Sequence, residues 1–113
     1  MSKLANESCE ACRVGAPTLT PNELQQFMVE IPEWEIINQE KIPQLTRQFK
    51  FSNFVDAMAF ANKVGELAEQ YDHHPAITVE WGKVCVLWWT HKIKGLHRND
   101  VIMAAKTDGL FMS

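Results

Sequence analysis

Residues 84–89 constrain the fold more than any other part of the chain, because all six of them are apolar. A half-buried strand alternates apolar and polar side chains, whereas this segment does not, so both of its faces must be covered. Gly82 precedes it and supplies the positive φ of a tight turn, which predicts a hairpin of residues 77–81 and 83–91. Helices can cover one face of the second strand, and the other face requires a second subunit or a folded-back segment.

The first half of the chain predicts one helix and a second pair of strands. Thr20 and Pro21 are typical of a helix start, apolar residues follow at helical spacing, and Pro32 ends the pattern. Residues 34–38 and 44–51 are predicted strands joined by a turn at residues 39–41, and the second strand alternates well. Arg47 interrupts the apolar face of that strand, which indicates a paired side chain or an edge position.

The longest predicted helix covers residues 53–70 and is capped by Ser52 and Asn53. A last helix begins near Asn99 and Asp100. The order α-β-β-α-β-β-α, with hairpin-length links, predicts an α+β fold: a four-stranded antiparallel sheet with three helices packed on one face. The predicted inward stripe of the long helix consists of Phe54, Ala57, Met58, Ala61, Val64, Ala68 and Tyr71.

Length and composition favour one globular domain. The chain has 113 residues, of which 46% are hydrophobic and 22% charged, and we expect a loosely held arm at residues 1–19 followed by a single domain at 20–113. A net charge of −3 without a dense Lys/Arg run argues against direct binding to nucleic acid. No apolar run approaches the ~18 residues of a membrane span. We expect a cytoplasmic protein.

Three of the four histidines lie between Glu69 and Asp100, in the spacing Glu69-x3-His73-His74-Pro75-x5-Trp81-x9-His91-x8-Asp100. Histidine is the side chain whose unperturbed pKa, about 6.5, allows it to exchange protons near neutral pH. In the predicted fold, His73 and His74 leave the end of the long helix and His91 follows the fourth strand, so the three can converge. The pattern therefore predicts a site of proton transfer.

This spacing resembles the active-site pattern of the pterin-4a-carbinolamine dehydratases. Thr90-His91 followed by Gly95-Leu96 also matches that family, as do the aromatic and small residues between Arg47 and Phe60. The resemblance covers roughly residues 21–111. It implies removal of water from 4a-hydroxytetrahydrobiopterin to give quinonoid dihydropterin, a step that recycles the cofactor of aromatic amino acid hydroxylases. It also implies that neither a metal nor an organic cofactor takes part.

The roles that we expect follow from this resemblance. His73 and His91 form the acid/base pair, and His74, with Pro75 beside it, grips the pterin. Trp81 walls the planar ring. Glu69 and Asp100 orient imidazoles or bind pterin nitrogens.

Two positions depart from the family pattern. Lys92 stands where an acidic or small residue is usual, and His97 stands where a hydroxyl residue usually caps the last helix. Both changes make the rim of the pocket more basic, and histidine is a poorer helix cap than serine or threonine.

Other interpretations of these residues remain open. A His-His pair in a loop is often a solvated helix end, Asp100 can be a favourable charge in a first helical turn, and Trp88 and Trp89 are expected in the core or an interface. Cys9 and Cys12 have the spacing of half a zinc site or a redox pair, without a second half.

Two other classes of function also remain. One is a metal-binding protein that uses His73, His91 and His97. The other is a dimerisation or coactivator module whose apolar strand recruits a partner. A homodimer or homotetramer is expected in either case.

Overall fold

The helices and strands of the computed structural model, which describes residues 18–91 and 93–112, follow the predicted order. They are α1 (Pro21–Met28), β1 (Glu35–Gln39), β2 (Ile42–Lys50), α2 (Phe54–Tyr71), β3 (Ala76–Glu80), β4 (Lys83–Trp88) and α3 (Arg98–Met112). The strands form one antiparallel sheet in the order β1-β2-β4-β3. The predicted α+β class is confirmed. Strand β4 ends at Trp88, so Thr90 and His91 lie beyond it rather than within it.

Helices α1 and α2 begin at the predicted capping residues. The side chain of Thr20 accepts a hydrogen bond from the N–H of Glu23, and the Glu23 carboxylate accepts one from the N–H of Thr20. This reciprocal arrangement is a capping box, and its backbone hydrogen bond lowers the pKa of Glu23. Asn53 caps α2. Helix α1 ends at Met28, earlier than predicted, although Ile31 is fully buried in the core.

The hairpin of β3 and β4 depends on Gly82. Its φ is 72°, in the left-handed region, and a Cβ at this position would lie 3.0 Å from the carbonyl oxygen of Phe51. The N–H of Phe51 also donates to the carbonyl oxygen of Gly82 at 2.8 Å. The turn therefore combines a backbone conformation and a close approach that both favour glycine.

The sheet buries one face against the helices. Along β4, Val84, Val86 and Trp88 are buried, whereas Cys85 and Leu87, on the opposite face, are only half-buried. Although the sequence of this strand is continuously apolar, its side chains alternate between buried and half-buried within one chain. The predicted covering of the second face by another subunit stays a prediction.

The inward stripe of α2 differs from the predicted one. Phe60 is buried and contacts the rings of Phe49, Phe51 and Phe111, yet it was absent from the predicted set. Phe54 and Met58 are 45% and 38% exposed. Met58 lies about 100° around the helix from the buried Ala57, because each residue turns an α-helix by that angle. The remaining members of the predicted stripe are buried or, for Tyr71, half-buried.

Arg47 is paired, as one of the two interpretations of its position predicted. Its guanidinium lies 2.6 Å from the carboxylate of Asp108 and 4.4 Å from the ring centroid of Phe49. The indole N–H of Trp34 donates to the same carboxylate at 2.8 Å. Burial raises the pKa of Asp108, against the hydrogen bonds from Trp34 and Arg47, which lower it. Strand β2 lies inside the sheet, so pairing and not an edge position explains the charged residue.

The predicted N-terminal arm falls largely outside the described residues, as do Cys9 and Cys12. Of the arm, Thr18 and Leu19 are described, and the N–H of Leu19 donates to the carbonyl oxygen of Leu96 at 2.9 Å. Cys85 is a free, half-buried cysteine. Among residues 18–91 and 93–112, no helix has the length and apolarity that a membrane crossing requires.

The corrected α2 stripe predicts different effects for two phenylalanine truncations in the same helix. Phe60→Ala removes a buried aromatic ring and should lower the free energy of unfolding by about 3–5 kcal/mol. Phe54→Ala is the matched control and should cost less than about 1 kcal/mol, because almost half of this ring is exposed. Urea unfolding followed by circular dichroism measures both. Equal losses would show that the face carrying Phe54 is covered in solution.

Candidate active site

The end of α2 turns the chain back toward the sheet. Asp72 adopts the left-handed conformation (φ 50°, ψ 43°), and the N–H of His73 donates to the carbonyl oxygen of Ala68 at 3.1 Å. A left-handed residue after the last helical turn is a common helix end, and aspartate tolerates it better than most residues other than glycine. The extended segment that follows carries His73 and His74 into the start of β3.

His73 is a buried imidazole held from two sides. Its side chain is 6% exposed, and its Nε2 lies 2.7 Å from Oδ1 of Asp100. The ring stacks parallel to the indole of Trp88, with centroids 5.7 Å apart and planes 3° apart. Trp88 is itself positioned, because its indole N–H donates to the hydroxyl of Thr107. The orientation of the His73 ring is therefore set by packing as well as by hydrogen bonding.

Asp100 is completely buried, and both of its oxygens are occupied. While Oδ1 faces His73, Oδ2 accepts hydrogen bonds from the hydroxyl of Thr90 at 2.7 Å and from the N–H of His97 at 2.9 Å. An ionised carboxylate only accepts, so His73 donates from Nε2. Hydrogen bonds to a charged acceptor are stronger than neutral ones, which compensates for the burial of this carboxylate.

Two further imidazoles lie at the surface beside this buried group. His74 pairs through Nε2 with the carboxylate of Glu69, and the two side chains are 54% and 77% exposed. His91 is exposed and stacks on Trp89, with ring centroids 4.3 Å apart and planes 15° apart. Consecutive Cα atoms are about 3.8 Å apart. His74 is thus the chain neighbour of His73, and His91 that of Thr90, the two residues whose side chains bond Asp100.

The described structure brings most of the predicted site residues together and leaves one apart. Glu69, His73 and His74 lie at the end of α2, with Pro75 half-buried beside them. Asp100 bonds His73, and His91 follows Thr90, which bonds the same carboxylate. Trp81 does not join this group. It is 73% exposed in the β3–β4 turn, at the far end of the five-residue strand β3, about 16 Å along the strand at the usual rise per residue. Within one chain Trp81 therefore cannot wall a molecule bound at the histidines.

Sequence reasoning missed Trp89, the aromatic residue that stacks on the exposed His91. Trp88 is buried in the core, as expected, and stacks on His73, whereas Trp89 is half-buried and stacks on His91. Adjacent residues of an extended chain point to opposite sides. That rule was the available signal, since it separates the two indoles and leaves one of them on the less covered side of the sheet.

The two positions that depart from the family pattern differ in what the structure shows. His97 is buried and faces the start of α3 rather than an exposed rim. Lys92 lies outside the described residues. Within the described parts of the chain, no group of three or more His, Cys, Asp or Glu side chains has an arrangement that could hold a metal ion.

Comparisons with known proteins identify relatives along nearly the whole chain. The family model described as pterin 4 alpha carbinolamine dehydratase matches residues 17–110. A protein of Syntrophotalea carbinolica assigned by name to the pterin-4-alpha-carbinolamine dehydratases is 54% identical over 97% of this chain and 98% of its own length. A protein of Marinobacter nauticus with the same assignment is 56% identical over 98% of this chain and its entire length.

Solved structures show the same fold. A transcriptional coactivator/pterin dehydratase from Brucella melitensis superposes with a TM-score of 0.74 and 29% identity, over 83% of this chain and 98% of that one. A pterin dehydratase-like protein identified as a RuBisCO assembly factor in the alpha-carboxysome has a TM-score of 0.60 and 26% identity, over 72% of this chain and 92% of its own. The chain belongs to the pterin-4-alpha-carbinolamine dehydratase family.

The hydrogen bonds of Asp100 predict what Asp100→Asn does to His73. The N–H of His97 can only donate, so the amide oxygen of the variant should take the Oδ2 position and its NH₂ group should face His73. His73 must then accept at Nε2, and its proton should move to Nδ1. Nitrogen-15 NMR of the imidazoles measures this change, and urea unfolding should show a loss of about 1–3 kcal/mol.

Asp108→Asn is the control for that substitution, because it changes the same kind of carboxyl on α3 without touching His73. Its His73 resonances should match those of the unmodified chain. An Asp100→Asn variant whose His73 keeps the proton on Nε2 would contradict the assigned hydrogen bond.

Proposed function

We propose that this protein is a dehydratase that removes water from 4a-hydroxytetrahydrobiopterin to give quinonoid dihydropterin. The observation that carries the proposal is the pair of exposed imidazoles, His74 and His91, each next in the chain to a residue, His73 or Thr90, that bonds the buried carboxylate of Asp100. The membership of the family and the relatives assigned by name to this activity support the substrate class.

The reaction requires two proton transfers and no change of oxidation state. The bond between C4a and the hydroxyl oxygen breaks, an acid protonates that oxygen so that it leaves as water, and a base removes the proton of a ring N–H while a carbon–nitrogen double bond forms. Positioned acid and base groups typically contribute about 10²–10⁴-fold to the rate. Imidazoles are suited to both roles at neutral pH.

Burial and exposure favour a division of roles that differs from the expected one. His74 and His91 are the imidazoles that solvent and substrate can reach, and in this proposal they exchange protons with the pterin. His73 is nearly inaccessible and its Nε2 is engaged by Asp100, which favours a positioning role instead of direct proton transfer. Its role as one of the acid/base pair stays a prediction that mutagenesis can decide.

Neighbouring groups fit this division. The carboxylate of Glu69 pairs with Nε2 of His74 and so holds that imidazole in place. Trp89, which supports His91, offers a flat aromatic surface for a planar heterocycle, the role first expected of Trp81. The proposal extends to an aromatic amino acid hydroxylase as the source of the substrate and to a cytoplasmic homo-oligomer.

A protein-binding module is the second candidate function. It is favoured by the exposed apolar side chains of α2, among them Val55 at 76% and Phe54 at 45% exposure, and by the name of the Brucella melitensis relative, which includes a coactivator role. Such a role need not exclude catalysis. Sedimentation equilibrium tests the self-association that both the module and the homo-oligomer require. A strictly monomeric chain would argue against both.

A coupled assay tests the dehydratase activity. Phenylalanine hydroxylase generates the 4a-carbinolamine, and ultraviolet absorbance follows its disappearance with and without this protein, in the presence of a chelator. We expect acceleration over the spontaneous rate. His74→Ala and His91→Ala should each lower kcat by about 10²-fold or more, because each removes a proton-transfer group.

Two further variants give this assay its controls. Gln70→Ala changes an exposed α2 residue next to Glu69 and should keep full activity. His73→Ala should lower both kcat and the free energy of unfolding, because it leaves the buried Asp100 without one of its donors. Full turnover in both His74→Ala and His91→Ala would exclude the proposed roles, and no acceleration by the unmodified chain would exclude the activity.

A further inference from the structure

His97 makes two hydrogen bonds at the start of α3 that together form an unusual helix cap. Its Nδ1 accepts from the main-chain N–H of Asn99 at 3.1 Å, and its own main-chain N–H donates to Oδ2 of Asp100 at 2.9 Å. The side chain is buried, with 6% of the residue exposed. In a capping box, the residue before the helix and the residue three positions later bond each other's main chain in this reciprocal way. Here an imidazole replaces the usual hydroxyl and contacts the second N–H of the helix.

This geometry selects one form of the His97 ring. A main-chain N–H can only donate a hydrogen bond, so Nδ1 must carry a lone pair. In the neutral ring the proton therefore lies on Nε2, and a doubly protonated ring could not accept from Asn99. A cap of this kind differs from a serine or threonine cap, whose hydroxyl can accept in any orientation of its hydrogen.

The cap also helps to set the orientation of Asp100, the buried carboxylate of the candidate active site. Holding residue 97 in the cap directs its main-chain N–H at Oδ2 of Asp100, where the hydroxyl of Thr90 also donates. With Oδ2 fixed by two donors, Oδ1 is left in place for Nε2 of His73. The chain of contacts thus runs from the His97 ring through Asp100 to the imidazole of His73.

We infer that His97 is a positioning residue for the active site: its neutral imidazole caps α3 and thereby holds Asp100 in the orientation that fixes His73. The inference rests on the proposed function only for its effect on turnover. The ring form of His97 and its influence on His73 are properties of the free protein. This assigns a role to a residue that stands where the family pattern has a hydroxyl residue.

The first experiment determines the ring form of His97 without any substrate. Nitrogen-15 NMR of the full chain at pH 8, with His97→Asn used to assign its signals, should show a protonated Nε2 and an unprotonated Nδ1. The same spectra should show His73 protonated on Nε2. A proton on Nδ1 of His97 would overturn the inference, whatever the activity of the protein.

The second experiment separates the hydrogen-bond acceptor from the volume of the side chain. His97→Leu keeps a bulky side chain but cannot accept a hydrogen bond, whereas His97→Asn is smaller and is among the preferred capping residues. In the coupled assay, His97→Leu should lower kcat by about 10- to 10²-fold with little change in KM. A shift of Asp100 and His73 would displace the adjacent proton-transfer group His74, and a misplacement of about 1 Å can cost about 10²-fold. His97→Asn should stay within about threefold of the unmodified chain.

The NMR response of His73 connects these variants to the mechanism. Its ring resonances should shift in His97→Leu and return to their original positions in His97→Asn. Equal loss of activity in both variants, with His73 unchanged, would mean that His97 only fills space. If the unmodified chain shows no turnover, the proposed function fails, but the ring form of His97 and the His73 resonances still decide this inference.

Discussion

The arrangement of the site depends on the hydrogen bonds that the carboxylate of Asp100 accepts. This carboxylate is completely buried, and it accepts hydrogen bonds from a side chain after α2, a side chain after β4 and a main-chain N–H before α3. His73 is distant in the sequence from the other two donors, Thr90 and His97. A buried carboxylate is costly unless its oxygens are satisfied, so the three segments must converge for the fold to tolerate it. His74 and His91, the chain neighbours of His73 and Thr90, are both exposed.

The site has a buried layer and an exposed layer with different physical properties. In the buried layer, packing on Trp88 and the bond to Asp100 restrict the His73 ring to one orientation. In the exposed layer, His74 and His91 are reachable by solvent, and their partners are a surface carboxylate and the face of an indole. Proton exchange with a bound molecule needs accessible groups held in place, and the two layers together meet both needs.

The relatives show that this fold serves more than one purpose. The relatives assigned by name to the dehydratases match nearly the whole chain, whereas the solved structures include one whose name adds a coactivator role and one identified as an assembly factor. A shared fold therefore does not establish an activity, and the argument for one must come from the site. In this chain two imidazole–carboxylate pairs are present, His73 with Asp100 and His74 with Glu69.

The amino-acid sequence alone predicts the order of the helices and strands, the hairpin at Gly82 and the helix starts at Thr20 and Asn53. These depend on local signals, namely side-chain periodicity, capping residues and a required positive φ. Tertiary packing determines which side chains are accessible. It buried His73 and His97, left Trp81 far from the site, set Trp89 against His91 and paired Arg47 with Asp108. Such outcomes depend on which elements pack together, and spacing along a chain does not contain that information.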